Sequence, residues 1–201
     1  MGRKINYLGL AAGIVTLVML AVSFYLPWWQ ITIGQSLIKI NASPVNTTFG
    51  VFGTQLTIPL IWALNLITIL TFAASGVIML IYSLVPTKTY AKHLIGFSWK
   101  KPLYTIIGFV GSLVVILLLA GHFGLYLPLN GSQTVTLPSN WTQGATVTAV
   151  VTDTFEASFW LAVVAAGLCI AARFYHTHIQ ELPAAVPATA AAPAGPTAPT
   201  E

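Results

Sequence analysis

A short basic segment, residues 87–101, lies between two long apolar runs and constrains the topology of the whole chain. Its lysines are Lys88, Lys92, Lys100 and Lys101, and short loops rich in Lys and Arg stay on the cytoplasmic side of a membrane. Only 6% of the residues are charged and 56% are hydrophobic, with a mean hydropathy of +0.83. This composition predicts a polytopic membrane protein whose basic residues face anionic lipid, not nucleic acid.

Four apolar runs are each close to the roughly 20 residues that a helix needs to cross the hydrocarbon core. We therefore predict a membrane all-α fold, a bundle of four transmembrane helices with a small extracellular β-layer built from the two outer loops. Arg3 and Lys4 open the first run, and an aromatic belt with Trp28 and Trp29 closes it. The predicted spans are residues 6–29, 59–85, 103–122 and 155–174.

The distribution of charge orients these spans. Of the eight Lys and Arg residues only Lys39 falls in a segment predicted to be extracellular, so both termini are predicted to be cytoplasmic. The 86–102 loop is either an interfacial helix or a plain turn, and the Pro/Ala-rich tail is predicted to be disordered. The segments between and beyond the spans are 1–5, 86–102 and 175–201 on the cytoplasmic side, and 30–58 and 123–154 outside.

Both outer loops carry patterns typical of β-strands. In the first loop, isoleucines alternate on either side of a polar turn and predict a hairpin, and residues 49–58 continue as extended chain. In the second loop, an Asn-Gly dipeptide predicts a turn between residues 126–129 and 134–137, and residues 146–152 are rich in β-branched side chains. These strands form either one sheet of four to six strands or two separate hairpins.

Side chains that could carry chemistry are scarce, since the interiors of the predicted spans contain no Asp, Glu, Lys, Arg or His, and residues of these types occur only near the span ends. The candidate polar site is His122, Asp153 and Glu156, where folded-back loops would bring His122 and Glu156 together as a metal or acid–base pair. The alternative is structural: Asp153 or Thr154 caps the fourth helix, and Glu156 lies in its first turn. Cys169 is the single cysteine, so it forms no intrachain disulfide. We predict no enzymatic activity, no cofactor and no metal.

Small residues recur within the spans and predict close helix packing. They let two helix backbones approach each other, either inside one bundle or between copies of the chain. The residues concerned are Gly9 and Gly13 on the first span, Gly108 and Ser112 on the third, and Ala162 and Ala166 on the fourth.

The first span ends in Leu26-Pro27-Trp28-Trp29 and is followed by an extended segment that contains Gly50-Val51-Phe52-Gly53. In this pattern and in its predicted topology, the chain resembles the claudin and peripheral-myelin-protein group of tetraspan proteins. The likeness in topology extends over most of the chain, and the likeness in motifs extends over residues 26–58. The pair of cysteines that the group has in its first outer loop is absent here. The resemblance implies an outer sheet built from both loops.

Two functions of different classes follow from these patterns. In the first, the protein is a structural membrane glycoprotein of the cell surface that associates laterally with other membrane or surface proteins or with copies of itself. In the second, it is a cofactor-free accessory subunit of a larger respiratory or transport complex. A channel or transporter is disfavoured because the third span is apolar and no span is broken.

We predict N-glycosylation on the outer face of a eukaryotic or archaeal cell, because every asparagine predicted to lie outside begins an Asn-x-Ser/Thr sequon. The two asparagines within the predicted spans do not. Mass spectrometry of peptides from the native protein should show added glycan mass that enzymatic deglycosylation removes; peptides with unmodified mass would contradict the prediction. The sites are Asn41, Asn46, Asn130 and Asn140.

Overall fold

The computed structural model of the chain describes residues 5–34, 37–136 and 147–181. The sequon at Asn140 and the predicted tail from residue 182 onward lie outside the described residues. Within the described ranges, the helices are α1 (Tyr7–Ser23), α2 (Pro59–Leu84), α3 (Ala91–Ser98), α4 (Lys100–His122) and α5 (Ala157–Glu181). The strands are β1 (Trp29–Ile33), β2 (Ile38–Ala42), β3 (Thr48–Val51), β4 (Thr54–Leu56), β5 (Gly131–Thr136) and β6 (Thr148–Phe155).

The predicted all-α fold with four transmembrane helices is wrong, because a six-stranded antiparallel sheet makes the fold mixed α/β. The first predicted span is the one that falls short, since α1 has only 17 residues and ends at Ser23 instead of near residue 29. Pro27 has no N–H for a helical hydrogen bond, so the chain leaves the helix and enters β1. Three segments are long and apolar enough to cross a membrane: Pro59–Leu84, Ala91–His122 and Ala157–Ile179.

One antiparallel sheet combines the strands of both non-helical segments in the order β4-β3-β2-β1-β6-β5. The two segments meet where β1 pairs with β6, with Trp29 opposite Phe155. The alternative of two separate hairpins is therefore excluded. The predicted hairpin of residues 126–129 with 134–137 does not form, because β5 pairs with β6 and Leu127 packs against the buried side of the sheet.

The sheet has one apolar face and one polar face, because side chains alternate along each strand. On the apolar face, Trp29, Ile31 and Val151 pack with Leu113 of α4, so this face covers the helices. We call the opposite, polar face the outer face. One row on the outer face is in register across all six strands and consists of Gln55, Gly50, Lys39, Thr32, Thr152 and Ser132.

Asn6 joins three helices at the end of the molecule opposite the sheet. Its side chain caps α1 by accepting a hydrogen bond from the Gly9 N–H (2.9 Å), and it donates to the Tyr82 hydroxyl (2.7 Å) and the Ala172 carbonyl (3.3 Å). Its backbone N–H donates to the Ser83 carbonyl at 3.0 Å. The start of α1 therefore lies beside the C-terminal parts of α2 and α5. We call this end of the molecule the basic end, because the lysines of α3 and of the first turn of α4 lie here. We call the opposite end the sheet end.

Trp28 fills the centre of the helix packing beneath the sheet. Its side chain is fully buried, and its indole N–H donates to the Ser23 hydroxyl at 2.9 Å. Its ring centroid lies 6.3, 5.3 and 6.1 Å from those of Phe72 on α2, Phe109 on α4 and Phe159 on α5. The predicted place of Trp28 in an interfacial aromatic belt is therefore wrong, and the residue belongs to the core.

Substitution of Trp28 should destabilise the fold far more than substitution of an outward-facing tryptophan. Trp28→Ala removes a ring in contact with three helices, and such core truncations cost about 3–5 kcal/mol. Trp160 on α5 is 59% exposed, so Trp160→Ala should change the free energy of unfolding by less than about 1 kcal/mol. Unfolding of both variants in detergent measures the difference, and equal destabilisation would contradict the central role of Trp28.

Candidate functional site

A groove opens between α2 and α4 beneath the apolar face of the sheet, with a volume of about 530 Å³. Trp29, Ile40 and Phe49 of the sheet close one end of it. We call this space the α2–α4 groove. The helix residues that line it are Ile61, Leu64, Asn65 and Thr68 of α2, and Thr105, Gly108, Phe109, Ser112, Leu113, Ile116 and Leu117 of α4.

The polar side chains of the groove already have hydrogen-bond partners. In the amide orientation that satisfies its neighbours, Asn65 donates to the Pro44 carbonyl (3.2 Å) and accepts from the Thr47 N–H (3.0 Å). Each lining hydroxyl on α2 and α4 donates to a carbonyl of its own helix one turn back, so the two helices offer an apolar surface to whatever enters the groove. These hydroxyls are those of Thr68, Thr105 and Ser112, at 3.0, 2.9 and 2.7 Å.

Most of the small residues predicted to pack helices do so inside this chain. A Cβ atom on Gly13 would come within 2.7 Å of the Leu80 side chain on α2, and one on Gly9 within 3.1 Å of Tyr82. Ala162 and Ala166 on α5 are 1% and 4% exposed, so they too belong to the interior. These residues have no free surface for a second protein.

Gly108 and Ser112 differ from the other small residues because both line the α2–α4 groove. A Cβ atom added to Gly108 would meet no atom within 4 Å. The two residues lie one turn apart on the same face of α4, both are exposed, and no helix in the described part of the chain covers that face. The structure therefore separates this pair, which faces open space, from the pairs that hold the fold together.

The three residues of the candidate polar site do not form a joint site. Among the described residues, no hydrogen bond or ion pair joins His122, Asp153 and Glu156, and no three His, Cys, Asp or Glu side chains are close enough together to hold a metal. His122 ends α4, with its ring 5.7 Å from that of Phe123. Glu156 accepts a hydrogen bond from the Thr154 hydroxyl at 3.2 Å. The capping alternative fails as well, because Asp153 and Thr154 lie within β6 and α5 begins only after Glu156.

Asp153 lies on the apolar face of the sheet with its carboxyl group fully buried. It lies in register between Ile31 on β1 and Gly131 on β5. Neither carboxyl oxygen has a hydrogen-bond partner within the part of the chain that the structure describes. Burial therefore raises the pKa of Asp153 from its usual 3.8 to about 7, since an ionised carboxylate is costly to remove from water.

The sequons within the described ranges differ in accessibility. Asn46 and Asn130 are exposed, although the Asn46 amide also donates to the Phe24 carbonyl at 3.1 Å. Asn41 lies in the middle of the sheet on β2, and its amide donates to the Thr48 hydroxyl at 3.1 Å. If the sequons are modified, Asn130 is therefore the most accessible acceptor of the three and Asn41 the least.

The sequence carries a signal for the α2–α4 groove, although the groove was not among the predicted sites. Asn65 and Thr68 lie on one face of α2, and Thr105, Gly108 and Ser112 recur at helical spacing on α4. Polar and small residues aligned on one face of an otherwise apolar helix mark a surface that does not simply face lipid. The sequence does not tell which two such faces approach each other, so the groove itself needed the fold.

No protein-family model matches the chain, and no curated protein matches it in sequence. The resemblance to the claudin and peripheral-myelin-protein group therefore stays a prediction.

The buried Asp153 carboxyl should make the protein less stable as pH rises. Its folded-state pKa of about 7 exceeds the usual 3.8, so between pH 4 and 7 the folded state binds more protons than the unfolded state, and stability falls as the proton is lost. One pKa unit corresponds to about 1.4 kcal/mol, which makes the loss at most about 4 kcal/mol. The free energy of unfolding, measured between pH 4 and 8, should fall with pH in the wild type and in Glu156→Gln but not in Asp153→Asn. The same fall in Asp153→Asn as in the wild type would refute the assignment to Asp153.

Proposed function

We propose that the chain is a non-enzymatic membrane glycoprotein of the cell surface with a structural or assembly role. It associates laterally with other membrane or surface proteins, or with copies of itself, through the α2–α4 groove and the sheet. Three helical segments that are long and apolar enough to cross a membrane support the membrane setting.

The open face of Gly108 and Ser112 carries this proposal. Small residues one turn apart let a second helix approach closely, which is the main way that helices associate in a bilayer. The other pairs of this kind are used inside the chain, but a Cβ on Gly108 would meet nothing within 4 Å. Because the groove hydroxyls already have partners on α2 and α4, an apolar helix can cover them without leaving a polar group unpaired.

The proposed orientation places the basic end in the cytoplasm and the sheet outside. Lys92, Lys100 and Arg173 belong to helices at the basic end, and Lys88 lies in the turn before α3. Basic residues stay predominantly on the cytoplasmic side. The hydrogen bonds of Asn6 hold the start of α1 beside the C-terminal part of α5. The start of α1 and the C-terminal part of α5 therefore both lie at the basic end, which supports the proposal that both termini are cytoplasmic even though α1, with 17 residues, is shorter than the three candidate spans.

The sheet offers two further surfaces for association. Its edge strands are β4, whose three residues are all exposed, and β5, of which only Val135 is buried. An unpaired strand edge can accept a strand from another chain. In the register row that crosses the outer face, Lys39 is the one charged residue, so a neighbouring protein can approach that row with little desolvation of charge.

A second candidate function is that of an accessory subunit packed against the catalytic chains of a larger membrane complex. The exposure of the segment that contains α4 favours this second function. In the most apolar 18-residue stretch of Ala91–His122 only 11% is buried inside the protein, against 28% for Pro59–Leu84 and 39% for Ala157–Ile179. A helix that leaves so much apolar surface uncovered can face lipid on one side and a partner on the other. The two functions differ in the identity of the partner, which extraction from native membranes reveals.

A large side chain at Gly108 should break lateral association. Gly108→Leu fills the α2–α4 groove from α4, whereas Gly111→Leu changes the same helix at a position that also faces open space but does not line the groove. We expect Gly108→Leu to release partners in mild detergent and Gly111→Leu to keep them. Size separation of the native extract with mass spectrometry of the co-migrating proteins measures both.

The same experiment separates the two candidate functions and can refute both. Copies of the chain or surface proteins as partners support the structural role, and redox or transport subunits in fixed ratio support the accessory role. A wild-type protein that migrates as a single chain, or partners retained equally by Gly108→Leu and Gly111→Leu, would show that the groove does not mediate association.

A further inference from the structure

Three helical elements bring basic side chains into one pocket at the basic end. The pocket has a volume of about 550 Å³, and we call it the basic pocket. It lies away from the α2–α4 groove, and the two share no lining residue. Its lining consists of Lys92, His93 and Gly96 of α3, Trp99 and Lys100 where α4 begins, and Arg173 of α5.

The basic pocket concentrates positive charge, and no carboxylate whose side chain the structure describes balances it. Lys92, Lys100 and Arg173 come from three different helices, and among the described side chains no carboxylate lines the pocket with them. Asp153 and Glu156, the acidic residues whose side chains the structure describes, lie at the sheet end. Like charges gathered in one place repel each other, so this arrangement favours an anion as the missing partner.

The shape of the basic pocket leaves room for such an anion. Gly96 lies one helical turn after Lys92 on α3, and a Cβ added to Gly96 would meet no atom within 4 Å. Lys92 and Lys100 are exposed, so their ammonium groups are free to move towards a ligand. Lys101 follows next in the chain but lines a different cavity, and its ammonium lies 5.0 Å from the centroid of the Phe97 ring.

The basic pocket also lies where lipid headgroups would be. All of its lining residues except Arg173 lie in the first turns of Ala91–His122, a segment long and apolar enough to cross a membrane. Trp99 lines it between two lysines, and tryptophan next to lysine is typical of the membrane–water interface. Basic pockets between membrane helices on the cytoplasmic side are suited to phosphate-bearing headgroups.

We propose that the basic pocket binds a phosphate group, carried in the membrane by the headgroup of an anionic lipid. Lys92, Lys100 and Arg173 supply charge-assisted hydrogen bonds to the phosphate oxygens, and the space above Gly96 accommodates the group. The site is independent of the lateral association proposed above, because it uses another face of the molecule. The proposal replaces a general attraction between a basic loop and an anionic membrane with a defined binding site.

The test uses the full chain in a zwitterionic detergent, titrated with phosphatidylglycerol and, separately, with phosphatidylcholine, and read by native mass spectrometry. The double variant Lys92→Gln with Lys100→Gln should bind phosphatidylglycerol about tenfold more weakly. Gly96→Leu should weaken binding comparably without any change in charge, because its side chain occupies the pocket. Lys88→Gln is the matched control, since Lys88 is an exposed lysine of the same segment that does not line the pocket.

The outcomes separate a defined site from general attraction to a charged surface. Weaker binding in the double variant and in Gly96→Leu, with wild-type binding in Lys88→Gln, supports the site. Equal losses in Lys88→Gln and the double variant, wild-type binding in Gly96→Leu, or equal affinity for phosphatidylcholine would each overturn it. The variants should unfold without lipid at the wild-type temperature, so lost binding does not reflect lost folding.

A parallel titration with inorganic phosphate identifies the source of the ligand. If phosphate displaces phosphatidylglycerol from the wild type and not from the variants, the pocket recognises the phosphate itself, and a soluble phosphate compound can also occupy it. If phosphate does not compete while the lipid binds, the lipid headgroup is the ligand. Failure of both ligands to bind would overturn the proposal and leave the lateral association untouched.

Discussion

The pairing of β1 with β6 is the interaction on which the rest of the structure depends. It joins two parts of the chain more than a hundred residues apart, with Trp29 opposite Phe155. Beside it, the Glu156 N–H donates to the Trp28 carbonyl at 3.0 Å, and the Ser158 hydroxyl donates to the Pro27 carbonyl. Because β1 follows α1 and β6 precedes α5, the pairing sets these two helices side by side and holds Trp28 in the space that all the long helices share.

The same pairing explains why a groove remains between α2 and α4. The sheet extends over the helices, and Leu113 of α4 reaches its apolar face, while Asn65 ties α2 to the segment after β2. α2 packs chiefly against α1, and α4 packs against α5 more than against α2, so the facing sides of α2 and α4 stay apart below the sheet. In water such a gap would be costly, but in a bilayer lipid or a partner helix fills it.

Charge is divided between the two ends of the molecule. The described cations other than Lys39 gather at the basic end, and the described carboxylates lie at the sheet end, where Asp153 is buried and raised in pKa to about 7. The proposed functions use this division: phosphate recognition draws on the basic end, and lateral association draws on the neutral groove and the polar, weakly charged sheet. Neither proposed function needs a catalytic group, and neither requires a charged group to move through the apolar part of the bundle.

Local signals in the sequence determine the elements, and contacts between distant residues determine the site. The apolar run ahead of Pro86 predicts a helix over 59–85 where α2 spans Pro59–Leu84, and the alternating isoleucines predict the hairpin of β1 with β2, because hydropathy, alternation and proline act over a few neighbouring residues. Other features depend on which elements lie next to each other. These are the burial of Trp28 and Asp153, the open space beside Gly108, and the presence of Lys92 and Arg173 in one pocket. Only the tertiary structure decides them, since the β1–β6 pairing and the helix packing join residues that no local pattern relates.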